Sequence, residues 1–106
     1  MKYEELENFS NDELSYFTNE DLEMIPADLR RRILNNNAPL PPSAIIKLNA
    51  MIDQANEQIA NPKKKIKKKI SKDTKAIDLF GILIQIIANA SQIAESFIYI
   101  LENLFP

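Results

Sequence analysis

Apolar residues recur at helical spacing through the middle of the chain. The stripe steps by three and four residues and consists of Ile45, Leu48, Ile52, Ala55 and Ile59. This spacing places its members on one face of an α-helix, although about two heptads are too few to indicate a coiled coil. Ser43 is predicted to cap the helix, and the Asn61-Pro62 pair either ends it or begins the next element.

A longer stripe covers residues 76–105. Its members step by three and four residues over four heptads: Ala76, Leu79, Leu83, Ile86, Ala90, Ile93, Phe97, Ile100 and Leu104. A second apolar row lies beside this stripe, so the face is wider than a two-stranded seam requires. We therefore predict that this helix forms the core and a self-association surface through five residues: Leu83, Ile86, Ile93, Phe97 and Ile100.

A single helix over this stretch would be too long for a compact domain. At 1.5 Å per residue, 29 residues span about 43 Å, whereas a compact domain of 100 residues is only about 34 Å across. The helix therefore either breaks, near Gly81 or Asn89, or pairs with another chain. A membrane-spanning helix is disfavoured because polar residues interrupt the run before about 18 consecutive apolar positions are reached.

An eight-residue repeat near the N-terminus predicts two short helices. Residues 9–14 read FSNDEL and residues 17–22 read FTNEDL. Ser10 and Thr18 occupy N-cap positions, and an acidic residue three positions later completes a capping box in each copy. A third start is predicted at Pro26, with an acid in its first turn and three arginines toward its end.

The segment 25–34, IPADLRRRIL, also resembles the opening helix of an F-box. The shared features are an aliphatic-Pro pair, an acid and a following Ile-Leu pair. The resemblance covers ten residues, and the rest of the chain departs from the F-box pattern. No adaptor-binding role is transferred to this chain.

These patterns predict an all-α fold with three stretches. Residues 1–37 form an acidic region of short capped helices, and the proline-rich residues 38–42 form an extended connector. Residues 43–106 form a helical core that contains a lysine-rich segment, residues 63–75, and the association helix, residues 76–105. We expect a middle helix and a long amphipathic C-terminal helix to complete an oligomeric helical bundle.

The composition argues against catalysis. A chain of 106 residues with 45 % hydrophobic content can form one domain with a modest core. It contains no Cys and no His, so thiolate chemistry, the commonest general base and the commonest metal ligand are missing. A single Gly leaves no phosphate-cradling loop. We therefore expect a non-catalytic protein without a cofactor or a catalytic metal.

Charge is distributed very unevenly behind the net value of -2. Residues 1–29 hold nine carboxylates and one lysine, whereas the lysine segment, residues 63–75, holds eight lysines and one aspartate. The predicted site for phosphate or for an acidic partner consists of Lys63, Lys64, Lys65, Lys67, Lys68, Lys69, Lys72 and Lys75. The acidic N-terminal third is itself a candidate partner for these lysines.

The lysine segment has two isoleucines that suggest a helix if they pack. Ile66 and Ile70 would share one helical face that aligns with the downstream stripe. Against a free helix, lysines four residues apart repel by about 0.2 to 0.5 kcal/mol per pair.

We predict a small regulatory or accessory protein that acts through protein–protein interaction and self-association. An alternative is binding to the nucleic-acid phosphate backbone through the lysine segment, and a second is peripheral binding to an anionic membrane surface. Frequent Ile, Asn and Lys suggest an AT-rich coding sequence, as in low-GC bacteria, phages or large DNA viruses. Acidic residues replace the positive start of a secretory signal, so we expect the cytoplasm, or the host cytoplasm or virion for a viral protein.

Overall fold

The computed structural model describes residues 19–36 and 38–105. Their α-helices are α1 (Asn19–Glu23), α2 (Ala27–Asn35), α3 (Pro42–Gln58), α4 (Ala76–Asn89) and α5 (Ser91–Leu104), with a 3₁₀ turn at Pro62–Lys64. No strand occurs in these ranges, which confirms the predicted all-α bundle. The predicted caps Ser10 and Thr18 lie outside the described residues.

Helix α3 is the helix that the middle stripe predicts. Four of the five stripe residues are buried, namely Leu48, Ile52, Ala55 and Ile59, and Ile45 is half-buried. The prediction of a Ser43 cap is wrong, because Pro41 is the N-cap and Pro42 is the first helical residue. Proline suits this position because its fixed φ matches the helix and it has no N–H that needs a partner.

The C-terminal stripe forms two helices, and the prediction of one helix over residues 76–105 is therefore corrected. Ala90, with φ -147° and ψ 59°, ends α4 and begins α5. The break lies beside Asn89, one of the two positions that the length argument indicated, and Gly81 stays inside α4. A molecule with principal extents of 35 × 29 × 21 Å has no room for a helix of about 43 Å.

The break lets the apolar stripe fold onto itself. Helix α5 packs against α4, and both helices contact α3. Leu83, Ile86 and Phe97 are thereby buried completely within one chain, while Ile93 and Ile100 are half-buried against the same core. One chain thus covers most of the stripe that the sequence analysis assigned to a self-association surface. Self-association through these five residues stays a prediction, and three of them have no exposed surface to offer.

Helix α2 belongs to the same core as the C-terminal helices. Ile25, Leu29 and Ile33 join the cluster formed by α3, α4 and α5, so the core extends beyond the predicted unit 43–106. The Arg32 guanidinium donates hydrogen bonds to the carbonyl oxygens of Phe105, at 2.8 Å, and of Glu102, at 3.4 Å. This side chain ties α2 to the end of α5.

Candidate functional site

The lysine segment is not a helix apart from the 3₁₀ turn Pro62–Lys64. Asn61 begins this turn by accepting a hydrogen bond from the Lys63 N–H at 3.0 Å. Lys65 then has the extended angles φ -65° and ψ 142°, and no helix forms before Ala76. The helical alternative for this segment is therefore wrong. An extended chain spreads the lysines apart, whereas a helix would bring like charges together at every fourth position.

Two asparagines of α3 hold the extended chain by its backbone. The Asn56 Nδ2 donates to the Ile66 carbonyl at 2.9 Å, and the Asn56 Oδ1 accepts from the Ile66 N–H at 2.7 Å. Asn49 makes the same pair of bonds with Ile70, at 2.9 and 2.8 Å. Each side-chain amide thus supplies the one donor and one acceptor that a residue of a neighbouring β-strand would present.

The spacing of these bonds explains why they form together. Asn49 and Asn56 are seven residues apart, or about 10.5 Å along a helix. Ile66 and Ile70 are four residues apart, or about 13 Å along a fully extended chain. The two lengths agree closely enough for the segment to run antiparallel along α3. The isoleucine side chains are then buried, each with 3 % of its surface exposed.

A tight turn reverses the chain between the lysine segment and α4. The Ser71 N–H donates to the Thr74 Oγ1 at 2.7 Å, and the Thr74 N–H donates to the Ser71 carbonyl at 3.2 Å. Helix α4 begins two residues later, at Ala76. The turn therefore brings the first turns of α4 back beside the lysine segment.

All eight lysines of the segment are exposed. Lys69 pairs with Asp53 of α3 and Lys68 with Asp78 of α4, and these exposed pairs contribute at most about 1 kcal/mol each. The remaining six make no ion pair within the described parts of the chain: Lys63, Lys64, Lys65, Lys67, Lys72 and Lys75. Their uncompensated charge forms a positive surface patch.

A groove of about 740 Å³ lies between the lysine segment and α4. We call it the lysine groove. The segment contributes Lys63, Lys65, Lys67, Lys68 and Lys75, and α4 contributes Ile77, Asp78, Gly81, Ile82, Ile84 and Gln85. The groove therefore combines a basic side with a largely apolar wall, and its volume is within the usual range for ligand sites.

The structure brings five of the eight predicted lysines together around this groove. Lys64, Lys69 and Lys72 are exposed but do not line it. Sequence reasoning missed Asn49 and Asn56, which set the path of the segment. Their signal is a pair of asparagines seven residues apart, beside the apolar stripe of α3, where a half-buried polar side chain is commonly bonded to the backbone.

Comparison of the chain with protein-family models, curated proteins and solved structures found no match. Among residues 19–36 and 38–105, no helix combines the length and apolar character that crossing a bilayer requires. The same residues contain no group of three side chains arranged to hold a metal ion.

Proposed function

We propose that the protein is a small non-catalytic regulatory or accessory protein that binds an acidic partner protein through its lysine segment. The observation that supports this proposal is the fixing of Ile66 and Ile70 by the α3 asparagines. Because these bonds fix the backbone in the absence of a partner, the lysine side chains start from fixed Cα positions. Less conformational freedom is then lost on binding than with a flexible tail.

The wall of the groove favours a protein over a nucleic acid. Ile77 and Ile84 of α4 offer apolar contact that phosphates cannot use. Among residues 19–36 and 38–105, no aromatic side chain lines the groove, so these residues offer unpaired bases no surface on which to stack.

Nucleic-acid backbone binding is the second candidate function. The observation in its favour is that six lysines of the segment lack a carboxylate partner among the described residues. Neutralising about six phosphates predicts a log-log salt slope near -5 on duplex DNA, without base preference. The membrane alternative gains no such support, because α4 and α5 turn their apolar faces into the core.

A pair of matched double variants tests the proposed function. Lys65→Gln with Lys67→Gln removes two charges from the groove, and Arg31→Gln with Lys47→Gln removes two exposed charges elsewhere. Each variant is titrated with polyglutamate and with a duplex DNA of 20 base pairs over a range of salt concentrations.

We expect the groove variant to lose affinity for polyglutamate at least fivefold and the control variant to change less than twofold. Equal losses in the two variants would show that net charge alone governs binding, and would refute the lysine segment as a site. Tighter binding to DNA than to polyglutamate at every salt concentration would replace the first candidate function with the second.

The acidic N-terminal third is tested as a competitor in the full-length chain. Removing everything before Ser43 would delete the buried Ile25, Leu29 and Ile33, so truncation would damage the core. Glu4→Gln, Glu5→Gln and Glu7→Gln instead remove three charges and leave those residues in place. If this stretch competes for the lysine segment, the triple variant binds polyglutamate more tightly than the native chain.

A further inference from the structure

We infer that the lysine groove is a strand-addition site, in which an extended acidic segment of the partner pairs backbone to backbone with the lysine segment. This inference rests on the proposed function and specifies how the partner is recognised. It differs from simple charge attraction because it requires hydrogen bonds between main chains. Those hydrogen bonds give the inference its own test.

The free edge of the lysine segment is the first observation. In an extended chain, the N–H and C=O groups of successive residues point to opposite sides. Ile66 and Ile70 direct theirs toward α3, where the asparagines bind them. By the same alternation, the groups of Lys67 and Lys69 would point away from α3. Within the described chain, neither of these two residues has a hydrogen bond on its backbone groups.

The position of the groove is the second observation. Its lining comes from the lysine segment and α4, and no residue of α3 takes part. The groove thus borders the edge that the asparagines leave open. A guest strand placed there would have the lysine segment on one side and α4 beneath it.

Gly81 is the third observation. It is the one glycine of the chain, it lies in the interior of α4, and it lines the groove. Its φ is not positive, so the backbone there does not require glycine. Glycine weakens a helix relative to alanine, and a common use of it is to let another backbone approach closely. At this position the missing side chain leaves room for the main chain of a guest.

The residues that line the groove also determine which side chains the added strand should carry. Successive residues of an added strand point alternately outward, beside lysines such as Lys65 and Lys67, and inward, onto Ile77 and Ile84. The fitting segment therefore alternates acidic and apolar residues. A second copy of the lysine segment is excluded as the guest, because lysines on an edge strand repel an identical edge.

The experiment uses a capped ten-residue peptide of alternating glutamate and valine, titrated into the full-length protein. Two further peptides carry N-methyl groups on all glutamates or on all valines. In a paired strand, the N–H groups of either the glutamates or the valines face the lysine segment, but not both. We expect one methylated peptide to bind at least tenfold more weakly than the parent and the other to bind within threefold of it.

In the same titration, the Lys67 and Lys69 amide resonances should move and their hydrogen exchange should slow. Equal affinity of all three peptides would overturn strand addition, while salt-dependent polyglutamate binding would leave the proposed function standing. Strand addition would also be overturned if the parent peptide bound no more tightly than polyglutamate. Failure of every peptide and of polyglutamate would remove the proposed function as well.

A second arm changes the protein. Gly81→Leu fills the groove, and Ala88→Leu adds the same side chain two turns further along α4, at an exposed position outside the groove. We expect Gly81→Leu to lower the affinity for the parent peptide at least tenfold and Ala88→Leu to change that affinity less than twofold. Gly81→Ala, a smaller obstruction, replaces Gly81→Leu if the latter fails to fold. Unchanged peptide binding by a folded Gly81 variant would overturn the inference.

Discussion

Asn56 holds both backbone groups of Ile66 with one side chain, through hydrogen bonds of 2.9 and 2.7 Å. Ten residues separate the two in sequence. The path of the lysine segment is therefore set by neutral amides on α3 and by buried isoleucines, while the lysine charges remain at the surface. Stability and charge can consequently be changed independently in this region.

The asparagine bonds are expected to contribute measurably to stability. Asn56→Ala should lower the free energy of unfolding by about 2 kcal/mol, because two backbone groups lose their partners. Chemical denaturation measures this loss, and hydrogen exchange at Ile66 should accelerate. Asn103→Ala is the control, since its side chain bonds only the exposed Tyr99 carbonyl within its own helix. A loss no larger than that of the control would contradict the role assigned to Asn56.

Substitution of a buried isoleucine of the lysine segment should lower stability far more than substitution of one of its exposed lysines. Ile70→Ala removes a buried side chain and is expected to cost about 2 to 4 kcal/mol. Lys67→Gln changes an exposed side chain and should shift stability by less than about 0.5 kcal/mol. Thermal unfolding of the two variants checks this contrast. Strong destabilisation by Lys67→Gln would show that the charge takes part in folding.

The guanidinium of Arg32 should stabilise the contact between α2 and α5. Arg32→Met keeps much of the aliphatic chain but loses the hydrogen bonds to Phe105 and Glu102, at an expected cost of about 1 to 2 kcal/mol. The neighbouring Arg31 is exposed, so Arg31→Met is the matched control. Denaturant titration of both variants would reveal equal stabilities if the link were unimportant.

Substitution of Phe97 can show whether this side chain stabilises the fold of one chain or a contact between subunits. Phe97→Ala should lower the free energy of unfolding by about 3 to 5 kcal/mol through the cavity that it leaves. Because the side chain is fully buried in one chain, we expect this loss to be the same at low and high protein concentration. A loss that grows with protein concentration would instead place Phe97 between subunits.

Replacing Gly81 with alanine should stabilise the protein even if it weakens peptide binding. The residue lies within α4 and has no positive φ, so alanine fits the backbone. Its higher helix propensity is expected to add about 0.5 to 1 kcal/mol. Differential scanning calorimetry would detect the rise, and a fall in stability would indicate that Gly81 is needed for packing.

The apolar spacing in the sequence was sufficient to predict α3 and most of the faces that α3, α4 and α5 bury, but not the division of the C-terminal stripe into two helices. Leu48, Ile52 and Ala55 are buried in α3 as predicted, because a helix with an apolar stripe must cover it whichever partner it finds. The charge contrast likewise marked the lysine segment, and five of its lysines meet at one groove.

Only the tertiary structure decided where the C-terminal stripe breaks and what shape the lysine segment takes. The spacing of three and four residues continues through Ala90, so it cannot distinguish one helix from two. The break follows from packing α5 back on α4, which buries both apolar faces. The extended form of the lysine segment depends on bonds between Asn49 and Ile70, 21 residues apart. Local periodicity carries no information about such distant partners.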